Sequence, residues 1–339
     1  MDTLENREKL DKKLNIVIMW FWELWQWFYD ILKETNTNLY VVSVSWKNNK
    51  QYENAGIHPY NRYEWFPVPY EDIDAVLLCC RTDQLEIIKT LIPKKILPKV
   101  VDKIISFQNG FGVKEKLTQL FGKSSARCIP NLSFKRHDGK NITLTFAKSS
   151  PIKWIEKENI KDLMDTLNNY TSKEFWKYLF EWVDSIALHR EWEYKAFINT
   201  ILNSLCVVYH GNVLSSIQKF TEEFGTDIVE KWSNEIWEVI NIKLKDSIFE
   251  TNVGEVKYYL HTMIEKFANE VPSTYNQYYD QAPKRGKVLS EDEHLLWYII
   301  QQARKHKINI PISTEIRNRM KHIEKEINSS LQNPIEKIS

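Results

Sequence analysis

The chain has 339 residues, enough for two ordinary domains with separate cores. Hydrophobic residues make up 43% and charged residues 27%, the balance of a soluble globular protein. Lys and Arg total 46 against 45 Asp and Glu, and the net charge of +1 excludes an electrostatic case for nucleic acid or a membrane surface.

The first half alternates strand-like and helix-like runs. Asn15–Met19 is a short apolar run and predicts a first strand. The wider apolar segment Ile16–Leu32 is broken by Glu23, Gln26 and Asp30, and no small-residue cleavage site follows. It therefore reads neither as a signal peptide nor as a spanning helix. A helical stretch runs on to about Lys33. Leu39–Ser45 is a second strand, Asp74–Cys80 a third, and Asp83–Leu91 a helix. Val101–Phe107 is a fourth strand and ends at Gln108-Asn109-Gly110. Strands alternating with helices predict a parallel sheet covered on both faces. Ile142–Phe146 and Ser150–Trp154 read as late edge strands.

From about Glu191 the period changes to 3.6, over 191–207, 212–224, 227–247, 254–270, 291–306 and 312–330. Strand signals vanish, and the boundary falls near Ser185–Arg190. The fold class is thus an α/β parallel-sheet domain over 1–187, followed by an all-α domain over 188–339. Residues 1–13 and 331–339 are charged or polar and are expected to fray. Cys79, Cys80, Cys128 and Cys206 form no CxxC pair, so neither a zinc site nor a disulfide framework is expected. Free thiols fit a reducing cytoplasm.

Three segments carry chemistry. Lys195, Asn199 and Asn203 are spaced i, i+4, i+8 and share one helix face, among Phe197, Ile198, Ile201, Leu202 and Leu205. Such a stripe is either a solvated face or an ammonium and two carboxamides held in a site. Phe107-Gln-Asn-Gly-Phe-Gly112 ends an apolar strand, where ligands of open parallel sheets bind. Asn109 is then either a ligand contact or part of a plain strand-exit turn. Pro272-Ser273 and, later, Ser290-Glu291 precede a helix, and Glu291 also reads as an ordinary first-turn carboxylate behind a Ser290 cap.

In this order the segments resemble the ketopantoate reductase family (2-dehydropantoate 2-reductase), from about 15 to 328. The resemblance implies a Rossmann-like dinucleotide-binding domain over 1–187 and a helical substrate domain over 188–339. It implies reduction of a 2-oxo acid by NADPH, with 2-dehydropantoate as substrate, in the cytoplasm and as a homodimer, without nucleic acid or membrane. Lys195 matches the catalytic lysine. An ammonium beside a carbonyl supplies the proton and charge that a nascent alkoxide needs. Asn109 matches an asparagine near nicotinamide and substrate, and Asn199 and Asn203 match substrate-facing asparagines. Ser273 matches the serine that holds the substrate carboxylate. Glu291 matches the glutamate that binds the substrate hydroxyl and supports the lysine. Arg81 stands where the family has a cofactor-contacting lysine. Thr274 replaces the usual Met, and the loop from Ser273 to Glu291 is longer than usual by about six residues. Lys47, after the second strand with no acidic residue near, leans toward NADP over NAD.

The nucleotide loop departs most. The family's Gly-x-Gly-x-x-Gly aligns with Trp20-Phe21-Trp22-Glu23-Leu24-Trp25, so three indoles occupy the glycine positions. Those glycines allow the tight turn, the approach to pyrophosphate and close helix packing. Trp297 falls on a fourth family glycine. Three readings compete: a pseudoenzyme with a filled cleft; an amphipathic aromatic helix with Trp20, Leu24, Trp27, Phe28 and Ile31 on one face; or UGA codons for glycine translated as Trp. The 9 glycines and 13 tryptophans together approach the glycine count of an average chain this long, about 24. That arithmetic favours recoding, which would also place turn glycines at 46, 65, 154 and 182. UGG codons at 20, 22, 25 and 297 would sink it.

Overall fold

The computed structural model describes residues 13–20, 28–29, 32–33, 35, 37–43, 59–60, 70–92, 94, 96–122, 126–129, 134–137, 141–144, 152–155, 163–165, 168–169, 180–244, 253–282 and 292–332. It divides into a strand-led unit, Met1–Asn109 with Val113–His189, and a helical unit, Gly110–Gly112 with Arg190–Ser339.

In the strand-led unit, β1 (Leu14–Trp20), β2 (Thr37–Ser43), β3 (Pro59–Tyr60), β4 (Ala75–Cys79), β5 (Ile104–Ser106) and β6 (Ala126–Ile129) form a parallel series in the order β3-β2-β1-β4-β5-β6. Residues Ile16–Met19 and Ala75–Leu78 are sealed from solvent, as central parallel strands require. The strand order reverses between β1 and β4, the position where open α/β sheets bind ligands. The expected parallel sheet is therefore present, with α1 (Leu85–Leu91), α2 (Leu97–Val100) and α3 (Val113–Phe121) among its connections.

Several boundaries differ from the sequence reading. The fourth predicted strand shrinks to Ile104–Ser106, because Val101–Lys103 is a 3-10 turn. A hairpin of β7 (Phe134–His137) and β8 (Asn141–Leu144) stands apart from the main sheet. β9 (Ile152–Ile155) is no edge: it runs antiparallel to β6 and is covered by β10 (Phe180–Val183). Its second neighbour lies well downstream, so no local pattern announces it. Trp154 and Trp182 pair within these two strands, so the expected turns at those positions are overturned. Positions 46 and 65 lie outside the described residues.

In the helical unit, α4 (Ser185–Tyr209) starts upstream of the predicted 191. Asp184 Oδ1 accepts from the backbone N–H of Ile186 and Ala187, both at 2.8 Å, which sets that start. α5 (Val213–Phe224) is capped by Asn212, whose Oδ1 accepts from Ser215 N at 2.9 Å. Next come α6 (Ile228–Leu244), α7 (Val253–Phe267), the short α8 (Ser273–Asn276), α9 (Leu296–His306) and α10 (Pro311–Gln332). The helix expected over 291–306 is a 3-10 turn, Asp292–His294, followed by α9, and α10 carries helix into the predicted C-terminal fray. Pro311 suits a first helical position, and the Glu235 carboxylate of α6 accepts from Ile312 N and Ser313 N at 3.0 and 2.7 Å. The core is built on α4, with Ala196, Phe197, Ile201, Leu205 and Cys206 closed to solvent, and Trp232 and Tyr278 packed among them. Among the described residues no helix is long and apolar enough to cross a membrane.

Candidate functional site

Each unit carries its own set of polar groups. In the helical unit, Lys195 and Asn199 are half-buried and Asn203 is 9% exposed. The stripe thus runs from two partly exposed residues to a buried one. The apolar neighbours at 196–198, 201, 202 and 205 are all buried, so α4 is core around most of its circumference. A partly desolvated ammonium on such a helix needs polar company. Asn203 Nδ2 donates to Thr274 Oγ1 at 3.0 Å, which ties the stripe to α8. Thr274, noted in the sequence only as a departure from Met, is thus the partner of a candidate site residue. Ser273 opens α8, but its side chain, like all of Glu291, lies outside the described residues.

A second cluster went unpredicted. Asp292, in the 3-10 turn before α9, has a side chain 2% exposed. Arg317 of α10 approaches it at 2.6 Å (Nε to Oδ2) and lies 3.6 Å from Glu324. Tyr278 donates its hydroxyl to Glu324 Oε1 at 3.1 Å. Burial pushes the Asp292 carboxyl up to about 6, in the face of the Arg317 charge and with Glu324 adding to the rise. Its members are spread over 278–324, so no short motif marks them.

The glycines of the 107–112 segment have a structural use within the helical unit. Phe111 N donates to His294 O at 2.7 Å, and Trp192 Nε1 donates to Gly110 O at 2.8 Å. At Gly110, with φ +110°, a Cβ would lie 2.6 Å from His294 O. At Gly112, with φ +69°, it would lie 2.7 Å from Tyr298 Cε2. Positive φ and close approach both demand glycine here.

In the strand-led unit, Asn109 is half-buried and its carbonyl accepts from Thr82 Oγ1 at 3.0 Å. Gln108, read in the sequence only as part of the strand exit, donates from Nε2 to Leu78 O and Cys80 O, both at 2.9 Å, clipping the ends of β4 and β5 together. Arg81 follows β4, is 4% exposed, and holds Asp83 through two nitrogens, Nε to Oδ1 at 3.0 Å and Nη2 to Oδ2. Its charge therefore has an anion beside it before any ligand arrives. Trp20 ends β1 with its side chain outside the described set; Phe21, Trp22, Glu23, Leu24, Trp25 and Lys47 lie wholly outside it.

Two further indoles of the helical unit make polar or cation–π contacts. Trp232 is fully buried and donates to Ser313 Oγ at 3.0 Å. Trp297 is half-buried, with the Arg304 and Arg317 guanidiniums and the Lys321 ammonium at 5.1, 5.9 and 5.2 Å from its ring, inside cation–π range. All four cysteines are free and buried. Burial raises their thiols, Cys80 and Cys206 to about 12, so none serves as a ready nucleophile. Among the described residues no His, Cys, Asp and Glu group could hold a metal ion.

Comparison with known proteins agrees with this architecture. No curated protein sequence matches the chain. Among solved structures, D-mandelate dehydrogenase in complex with NADH is 16% identical, with 93% of this chain and 100% of that one covered and a TM-score of 0.69. A PanE/ApbA family ketopantoate reductase from Ralstonia eutropha is 14% identical, covering 93% and 99%, with a TM-score of 0.70. A dimeric ketopantoate reductase from Staphylococcus aureus is 13% identical, covering 93% and 100%, with a TM-score of 0.59. At these identities the likeness is one of fold. The family description "Ketopantoate reductase PanE/ApbA C terminal" matches residues 188–324, so the helical part of the chain is similar to the C-terminal domain of that family.

Proposed function

We propose that the protein is a nicotinamide-dependent reductase of a small 2-oxo acid, with 2-dehydropantoate as substrate, pantoate as product and NADPH as reductant. The observation that carries this reading is the stripe on α4: Lys195, Asn199 and Asn203 on one face of a core helix, with Asn203 bonded to Thr274. Coenzyme precursor synthesis, a cytoplasmic site and a homodimer belong to the same reading, and the Staphylococcus aureus relative is described as dimeric.

The strand-order reversal between β1 and β4 suits a dinucleotide. Arg81 and Asn109, after β4 and β5, are the described residues that would hold it. When bound, NADPH supplies the hydride. Lys195 then stands as the general acid that protonates the substrate oxygen and, before that, as the cation that stabilises its growing negative charge. Asn199 and Asn203 orient the acid, Ser273 holds its carboxylate, and Glu291 supports the lysine.

The test is NADPH oxidation with 2-dehydropantoate, using the chain as written and a form with Gly at 20, 22, 25 and 297. Lys195→Ala is expected to lower kcat by about a hundredfold or more. No turnover by either form sinks the reductase reading. Turnover of another oxo acid alone sinks only the substrate, and the mandelate dehydrogenase likeness makes that second reading specific. A third reading, a silent relative with a filled nucleotide site, draws on Trp20 at the end of β1. Turnover confined to the glycine form favours it for the chain as written.

A further inference from the structure

Gln277 opens the π-helical turn Gln277–Gln281 that continues α8. Its side chain is fully buried, and neither Nε2 nor Oε1 has a hydrogen-bond partner among the described residues. Folded proteins leave few buried polar groups unmet, and a carboxamide with both atoms unmet calls for a reason. π-turns themselves concentrate at functional sites.

The surroundings hold the turn in place. One helical turn before Gln277, Thr274 is 1% exposed and accepts from Asn203 on the Lys195 helix. One residue after it, Tyr278 is fully buried and anchored to Glu324, which lies beside Arg317. The turn is thus pinned through 274 and through 278, and Gln277 is buried between these fixed points. Asn203, Thr274 and Gln277 are all buried, and Asn203 and Thr274 are bonded to each other.

We propose that Gln277 is a substrate contact that reads an uncharged hydroxyl on the oxo acid. The proposal rests on the oxo-acid reading above. A carboxamide presents one donor group and one acceptor in a single plane, and a hydroxyl both accepts and donates, so it meets both atoms at once. A carboxylate only accepts and would leave Oε1 unmet. An alkyl group would meet neither. A site built this way discriminates by leaving its own buried atoms unpaired when the wrong substrate binds, and that penalty exceeds what a missing methylene costs in an apolar pocket.

The test is calorimetric binding to the full chain without nucleotide. The ligands are 2-dehydropantoate and its analogue with a methyl group in place of the hydroxymethyl group. The wild-type chain is expected to bind the hydroxylated acid roughly tenfold or more tighter than the analogue. Gln277→Leu should abolish most of that ratio, leave the analogue's affinity in place and keep or raise Tm, since it deletes two unmet polar atoms. Gln277→Met serves if the leucine variant fails to fold. A ratio that survives substitution overturns the role of Gln277 while the oxo-acid reading stands. Equal weakening of both acids also overturns it, because the contact is then not with the hydroxyl. If the wild-type chain binds neither acid, the oxo-acid reading falls and this inference with it.

Discussion

The two units handle buried charge differently. In the strand-led unit, Arg81 is neutralised by Asp83, two residues away. In the helical unit, Asp292 relies on Arg317, which is shared with Glu324 and so indirectly with Tyr278. The first pairing forms as soon as the chain turns out of β4. The second exists only when the 3-10 turn, the π-turn and α10 are packed together. A local pair stabilises its own turn, whereas a dispersed cluster reports on the whole unit, and perturbing each should show the difference.

Substitution should have its largest effects in the helical unit. Arg317→Met removes the cation facing a nearly sealed carboxylate, and at neutral pH a loss of about 3–5 kcal/mol is expected in denaturant melts. A loss under about 1 kcal/mol would mean that the cluster adds nothing beyond local contacts. Trp232→Ala, which opens the core between α6 and α10, should cost a similar 3–5 kcal/mol. It also tests whether the helical unit needs its indoles, whatever the codons at the nucleotide loop prove to be.

A smaller effect follows from Asp292. Its carboxyl is raised from an ordinary 3.8 to about 6 in the fold. Between those values the folded state binds more protons than the unfolded one, so this group's contribution falls as pH rises through the window and is level above it. The expected span is on the order of 2 kcal/mol, read as the difference between wild type and Asp292→Asn in melts from pH 4 to pH 7. The same logic makes the Arg317→Met loss smaller near pH 5, where Asp292 is largely protonated. A pH-independent loss would contradict the assignment.

The smallest effect belongs to the strand-led unit. Asp83→Asn should cost about 1 kcal/mol, because Asp83 is partly solvated and the turn keeps its backbone bonds. A loss as large as that of Arg317→Met would erase the contrast between the units.

How much was legible follows the same division. The parallel series, the change of period near Glu191 and the Lys195–Asn199–Asn203 stripe were readable, because each is a repeat within a few residues. The Asp184 cap moved the start of α4 only slightly. The covered position of β9, the Gln108 clip and the Asn203–Thr274 bond were not readable, because their partners lie 20 or more residues away in sequence.

The amino-acid sequence by itself determined the two-unit organisation, the central strands and the i, i+4, i+8 spacing of the polar stripe. Hydrophobic periodicity and local spacing act before distant segments meet. Only the tertiary structure decided that Asn203 pairs with Thr274, that Arg317 stands against Asp292, that Trp154 and Trp182 sit in strands rather than turns, and that the Gln277 carboxamide is buried without a described partner. Burial and long-range pairing set the cost of each polar group, and those are properties of the packed chain rather than of any short segment.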